Sequence, residues 1–352
     1  MARRLLKRIA PRTRLKRLLE RIAPGQVQAI RRRMPELLRR LGDRYGYSVI
    51  AHGPASPVPA VPDADDPIWS RRSSMAGVQF DLASQLALIT EHLAPYIQEF
   101  HRDVRGRGLD VWNRLYKGGD AEVLYALLRH LQPKQVLEIG SGNSTLIASA
   151  AMAANRRDGS PGELIAVDPT PTVALDPQPT VRKEGGAAGW LVHVSGRETP
   201  IDGLTRVERI DCRELPIQRF EALQAGDVLF IDTNHVVKLD SEVNWLFLEV
   251  LPRLAPGVWV HLHDIHLPYE YPPYYPLLAG FLTEQYLLQA FLAGSAWRVE
   301  IALAALFRDR HDELVELIPS LREDVDPGAP LYGVPEFRTW IPCAMWIRQP
   351  DE

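Results

Sequence analysis

From residue 115 onward, seven short apolar runs rich in β-branched residues alternate with helix-like patterns: Gln135–Ile139, Leu164–Val167, Val207–Ile210, Val228–Ile231, Val258–His263, Trp297–Leu303 and Ala344–Arg348. Strands interleaved with helices predict an α/β fold, a seven-stranded and mostly parallel sheet covered by helices on both faces. The covering helices show as Val123, Leu124, Leu127, Leu128 and Leu131 before the first run, and as Val243, Phe247, Val250 and Leu254 before the fifth, where Pro256-Gly257 supplies the turn back into the sheet.

The chain ahead of that pattern is of another kind. Over 352 residues the net charge is only −3, yet residues 1–40 hold 14 Lys/Arg against Glu20 and Glu36 alone, a surplus of +12. Leu15, Leu18, Leu19 and Ile22 recur at helical spacing among Arg14, Lys16, Arg17 and Arg21, which predicts a short basic amphipathic helix in an arm punctuated by Pro11, Pro24 and Pro35. Such a helix suits an anionic membrane surface, at up to about 1 kcal/mol per basic residue near the lipid, or a partner; a solvated, loosely packed arm is the alternative. No aromatic residue interleaves these charges, and the rest of the chain is acidic, both of which count against nucleic acid. Five prolines from His52 to Pro67 read as an extended linker over 51–68, which ends the arm at residue 50. Leu82, Leu86, Ile89 and Leu93 then predict an amphipathic helix in a helical cap over 69–114, acting as a lid or a homo-oligomer surface ahead of the main domain, 115–352.

With 46% hydrophobic and 24% charged residues the chain has the balance of a soluble folded protein. No uncharged apolar run approaches the roughly 18 residues that cross a bilayer, and Arg and Lys interrupt every apolar stretch of the start, so no secretory signal is read there. Cys212 and Cys343 are too few for a disulfide framework or a thiolate zinc site, so a reducing, cytoplasmic setting is expected, with the arm bringing the protein to the inner face of a membrane.

The most informative stretch is Val136-Leu137-Glu138-Ile139-Gly140-Ser141-Gly142-Asn143-Ser144-Thr145, an apolar strand running into a Gly-x-Gly turn and then the helix of Leu146 to Ala154. Gly140 and Gly142 are predicted to let backbone approach a ligand closely, at the strand end where open α/β sheets bind ligands. Thr145 stands where a dinucleotide fingerprint has its third glycine, which argues against a pyrophosphate. The second strand ends Ala166-Val167-Asp168, and a carboxylate there can accept from both hydroxyls of a ribose. Together these favour an adenosyl ligand without a pyrophosphate.

On these residues the sequence over about 115–350 resembles the class I S-adenosylmethionine-dependent methyltransferases, whose fold is Rossmann-like. The resemblance implies that Glu138, Gly140, Ser141 and Gly142 line the methionine and ribose side of S-adenosylmethionine, that Asp168 holds the ribose, that Asp232 borders the cofactor, and that Asp211 contacts the adenine end. Residues 169–205, between the second and third strands, are longer than that family needs.

Strand four runs into Asp232-Thr233-Asn234-His235, and strand five ends His261-Leu262-His263-Asp264-Ile265-His266. Adjacent strands lie about 4.8 Å apart, so Asp232, His235, His263 and Asp264 should converge. Three readings fit: a divalent cation, Mg²⁺ if carboxylates dominate or Mn²⁺, Fe²⁺ or Zn²⁺ if histidine joins; metal-free catalysis by histidine; or structural caps, with His261 simply buried. The Asp-x-x-His spacing resembles the metal-dependent sugar O-methyltransferases acting on macrolide glycosides. That likeness implies Asp232, Asp264 and His263 as the metal group, with His263 replacing an acid of the family pair, and His235, assisted by His263, as the catalytic base. Beyond the strand, Leu267 to Pro276 packs four tyrosines and four prolines into ten residues, either an acceptor wall or a rigid cover. The expected activity is methylation of a hydroxyl on a small molecule or glycan; a catalytically silent scaffold working through its arm, or an N-methyltransferase, is the alternative.

Overall fold

The computed structural model describes residues 36–40, 42, 44–45, 56, 58–63, 66–105, 116, 118–171, 201–273, 275, 281–322 and 341–350. The amphipathic helix predicted at 15–22 and most of the long connection after the second strand lie outside these. The chain divides into two units, Met1–Pro62 and Asp63–Glu352. In the first, residues 36–40 are helical and Glu36 accepts from Arg39 at 3.1 Å and Arg40 at 2.8 Å, ion pairs one turn apart.

The second unit is built on an eight-stranded sheet. Its strands are β1 (Gln79–Phe80), β2 (Gln135–Ile139), β3 (Glu163–Val167), β4 (Arg206–Glu208), β5 (Val228–Ile231), β6 (Trp259–Leu262), β7 (Arg298–Ala302) and β8 (Met345–Arg348), in the order β1-β7-β8-β6-β5-β2-β3-β4. All pairings are parallel except those of β8, which runs antiparallel to β6 and β7. Every predicted run forms a strand. The count rises from seven to eight because β1 pairs Gln79 with Arg298 and Phe80 with Val299, a contact of two residues that carries no readable period.

Alternation along the strands feeds two apolar layers. Leu137, Ile139, Ile165, Val167, Leu229 and Ile231 point to one, and Val136, Leu164, Val228 and Phe230 to the other. Against the second layer pack α1 (Leu82–Leu88) with its helical continuation to Val104, α2 (Asp120–Leu131) and α3 (Asn143–Arg157). Of the stripe expected as a lid or oligomer surface, Ile89 and Leu93 are fully buried and Leu82 and Leu86 partly so, because the helical run faces α2 within the same unit. The opposite layer holds Val243, Leu246, Phe247 and Val250, together with α4 (Glu284–Leu292) through Leu288 and Leu292.

Two features of the topology place a site. From β2 the chain builds β3 and β4 to one side and then crosses to β5 and β6 on the other, so winding reverses between β2 and β5 and a crevice opens beyond their carboxyl ends. The reversed β8 enters the sheet from that same edge: Met345, its first residue, pairs with Leu262, the last of β6. The residues just before β8 therefore join the carboxyl ends of the parallel strands.

Candidate active site

At the end of β2, Gly140 has φ +83°, and a Cβ there would lie 1.7 Å from the backbone oxygen of Asp232. The glycine is thus demanded by the end of β5, whose Asp232 N–H donates to Ile139 O at 2.9 Å, and not by a ligand alone as expected. Ser141 donates both its N–H (2.9 Å) and its hydroxyl (3.0 Å) to Asp168 Oδ2, while Thr170 N–H donates to Oδ1 at 2.7 Å. The half-buried Asp168 carboxylate accordingly faces the turn. Thr145, in the place of a third glycine, serves the turn itself, since its Oγ1 accepts the Gly142 N–H at 3.0 Å and closes the start of α3.

Glu138 is 1% exposed, and Ser144 donates to its Oε1 at 2.7 Å. Its Oε2 is buried with no partner among the described residues. Burial, helped by Asp232 and Asp168, pushes this carboxyl up to about 8.

At the ends of β5 and β6 a second group closes. His235 Nε2 lies 3.2 Å from Asp232 Oδ1 and 3.4 Å from Asp264 Oδ2, and its Nδ1 is 2.8 Å from Glu284 Oε2. The start of α4 also grips the His235 backbone, whose carbonyl accepts the N–H groups of Thr283 (2.9 Å) and Glu284 (3.1 Å). Both His235 (φ 59°) and Asp264 (φ 55°) are left-handed, a conformation that such residues keep only where surrounding bonds hold it. Burial would lower the His235 pKa, but hydrogen bonds to Asp232 and Glu284 and the Asp264 charge outweigh it and hold the imidazole well above its ordinary value.

Beside this group, His263 Nδ1 is 3.6 Å from Asp232 Oδ1 and 3.8 Å from Asp264 Oδ1. The other edge of its ring faces Asp120 and Cys343: Nε2 is 3.7 Å from Asp120 Oδ2 and 3.7 Å from Cys343 Sγ. Tyr275 donates its hydroxyl to Asp264 Oδ1 at 2.5 Å.

The structure thus brings Asp232, His235, His263 and Asp264 together, and sets Gly140 against Asp232. Asp211 turns elsewhere: it caps the turn Cys212–Glu214 and pairs with Arg213 at 2.7 Å, which holds its carboxyl below the usual range. His261 is fully buried and stacks on Phe230 at 4.0 Å, and burial keeps it neutral. Of the tyrosine loop, Tyr269 bonds Asp309, Tyr271 OH accepts the Gln285 N–H, and Tyr275 alone reaches the cluster; Tyr274 lies outside the described residues. Sequence reasoning missed Glu284, Asp120 and Cys343. Glu284 and Asp120 read as ordinary first-turn acids of α4 and α2, and Cys343 gains its place only from the reversed direction of β8.

The turn fits a cationic adenosyl cofactor. Among the described residues an oxygen of the buried acid Glu138 has no partner, and Asp168 stands half-exposed beside Ser141, with lone-pair capacity beyond the three donors that reach it there. Residues 137–265, which span β2 to the end of β6, match the family model described as a methyltransferase domain. No curated protein and no solved structure matches the chain. The matched segment carries the glycine turn, Asp168 and the Asp232–His235 group on a mostly parallel eight-stranded sheet, and the chain therefore contains an S-adenosylmethionine-dependent methyltransferase domain of Rossmann-like fold.

Proposed function

We propose that this enzyme methylates a hydroxyl group of a small molecule or glycan, with His235 receiving the hydroxyl proton and Glu284 holding its ring. The observation that carries the reading is the Glu284–His235 pair at 2.8 Å, with Nε2 turned to Asp232, whose backbone lies against Gly140 of the cofactor turn. When bound, S-adenosylmethionine supplies a methyl group on a positively charged sulfur, already activated for transfer. What remains for the protein is to orient an acceptor oxygen and remove one proton. Glu138 and Asp168 would hold the cofactor, and Asp232 and Asp264 flank the imidazole. The His235 imidazole faces both carboxylates, 3.2 Å from Asp232 Oδ1 and 3.4 Å from Asp264 Oδ2, which would stabilise the ring once it has taken the proton. The basic arm, residues 1–40, suits an anionic lipid surface and would bring the enzyme to a lipid- or saccharide-borne acceptor.

A mass-spectrometric screen of sugars, glycolipids and phenols with the full chain tests this. One methyl gained on an acceptor oxygen, with turnover lost in His235→Gln while cofactor affinity stays intact, supports the reading. Methyl transfer to nitrogen, or undiminished turnover in His235→Gln, overturns it.

A further inference from the structure

We propose that Asp120, His263 and Cys343 form a site for one divalent transition-metal ion of the zinc class, adjoining the His235 group but distinct from it. Their donor atoms make a nearly equilateral triangle: Cys343 Sγ to His263 Nε2 3.7 Å, Cys343 Sγ to Asp120 Oδ2 3.9 Å, and His263 Nε2 to Asp120 Oδ2 3.7 Å. An ion at its centre would be about 2.2 Å from each corner, within the roughly 2.0–2.3 Å of Zn–N, Zn–O and Zn–S bonds. Among the described residues this is the set of metal-binding side chains whose donor atoms all lie within 4.8 Å of one another.

Two of the donors are aimed by something other than an ion, while the Cys343 thiol also donates to Asp264 Oδ1 at 3.3 Å, a proton that the metal would displace. Asp120 Oδ1 accepts the backbone N–H groups of Cys343 (2.9 Å) and Ala344 (2.8 Å), and Oδ2, which also accepts the Cys343 N–H at 3.2 Å, is the oxygen that faces the triangle. His263 turns its far nitrogen toward Asp232 at 3.6 Å and Asp264 at 3.8 Å, the order of carboxylate, histidine and metal that zinc sites show. Tyr116 packs over the same ring at 4.8 Å between centroids. All three residues are at most 3% exposed, so burial excludes competing water. A sulfur, a nitrogen and an oxygen donor select zinc, cobalt or ferrous iron over magnesium or calcium, which take oxygen alone. The ion would tie the start of α2, the end of β6 and the entry to β8 together, and set the ring that faces Asp232.

The test is a cobalt titration of the chelator-treated full chain, with Cys343→Ser and Cys212→Ser alongside. One cobalt per chain is expected, with thiolate-to-cobalt charge-transfer bands. One equivalent of zinc should abolish these bands; Cys212→Ser should keep them and Cys343→Ser lose the charge transfer. Absence of those bands in the wild type, or their persistence in Cys343→Ser, overturns the site. Should Cys343→Ser fail to fold, iodoacetamide labelling of the wild type decides: zinc is expected to slow Cys343 alkylation at least tenfold, and equal rates overturn the proposal. Neither readout involves S-adenosylmethionine or an acceptor, so a chain that binds the cofactor but no cobalt loses this site alone.

Discussion

In the proposed reaction the acceptor's proton passes to one ring, that of His235. Three carboxylates from three elements face it, Asp232 after β5, Asp264 after β6 and Glu284 at the start of α4. They raise its pKa, so the neutral ring that accepts a proton becomes the majority form only at more alkaline pH than for free histidine. Turnover should therefore rise with pH through a limb above about 6.5, the ordinary histidine value. Glu284→Gln removes one of the charges, and the limb should move to lower pH while kcat falls about 10²–10⁴-fold, since the ring also loses its anchor. A pH–rate profile of both proteins checks this; a limb unmoved by Glu284→Gln would show that His235 is not the titrating group.

At the scale of elements, the site depends on contacts between strand ends. Gly140 lies so close to Asp232 that Gly140→Ala should cost more than about 2 kcal/mol, from both the positive φ and the overlap with backbone. Chemical denaturation of the variant measures it, and a loss under about 0.5 kcal/mol would contradict the packing of β2 on β5. On the helical face, buried Arg129 joins three helical segments through Glu99 (2.7 Å), Asp158 (2.5 Å) and Asn155. Arg129→Ala should cost about 3 kcal/mol by leaving Glu99 without its cation, and the same denaturation experiment reads it. These elements were legible in unequal degree. The strands β2 to β8 could be read because each apolar run is bounded by turn residues, and Asp232, His235, His263 and Asp264 because they leave adjacent parallel strands. Glu284 and Asp120 could not, since a first-turn acid looks the same whether it stabilises its helix or faces another element. Cys343 was hidden by the direction of β8, which apolar pattern alone does not reveal. Gly140 was read as room for a ligand, whereas the neighbouring strand takes that room first.

On the scale of the whole molecule, the chain joins a basic arm to an acidic remainder. Among the described residues no helix is long and apolar enough to cross a membrane. The full chain should cosediment with vesicles containing anionic lipid at low salt and release near 1 M salt, where charges are screened within about 3 Å. Replacing Arg31, Arg32 and Arg33 by Glu should abolish the binding; equal binding to neutral vesicles would contradict a charge-driven contact. The turn at 140–142 and Asp168 form the proposed cofactor seat on which the rest depends. Isothermal titration of S-adenosylmethionine into the full chain and into Asp168→Ala tests it most directly. One molecule should bind per chain and the variant should bind about 10–100-fold more weakly, the loss of charge-assisted hydrogen bonds to the ribose. No binding by the wild type, or equal affinity in the variant, would contradict it.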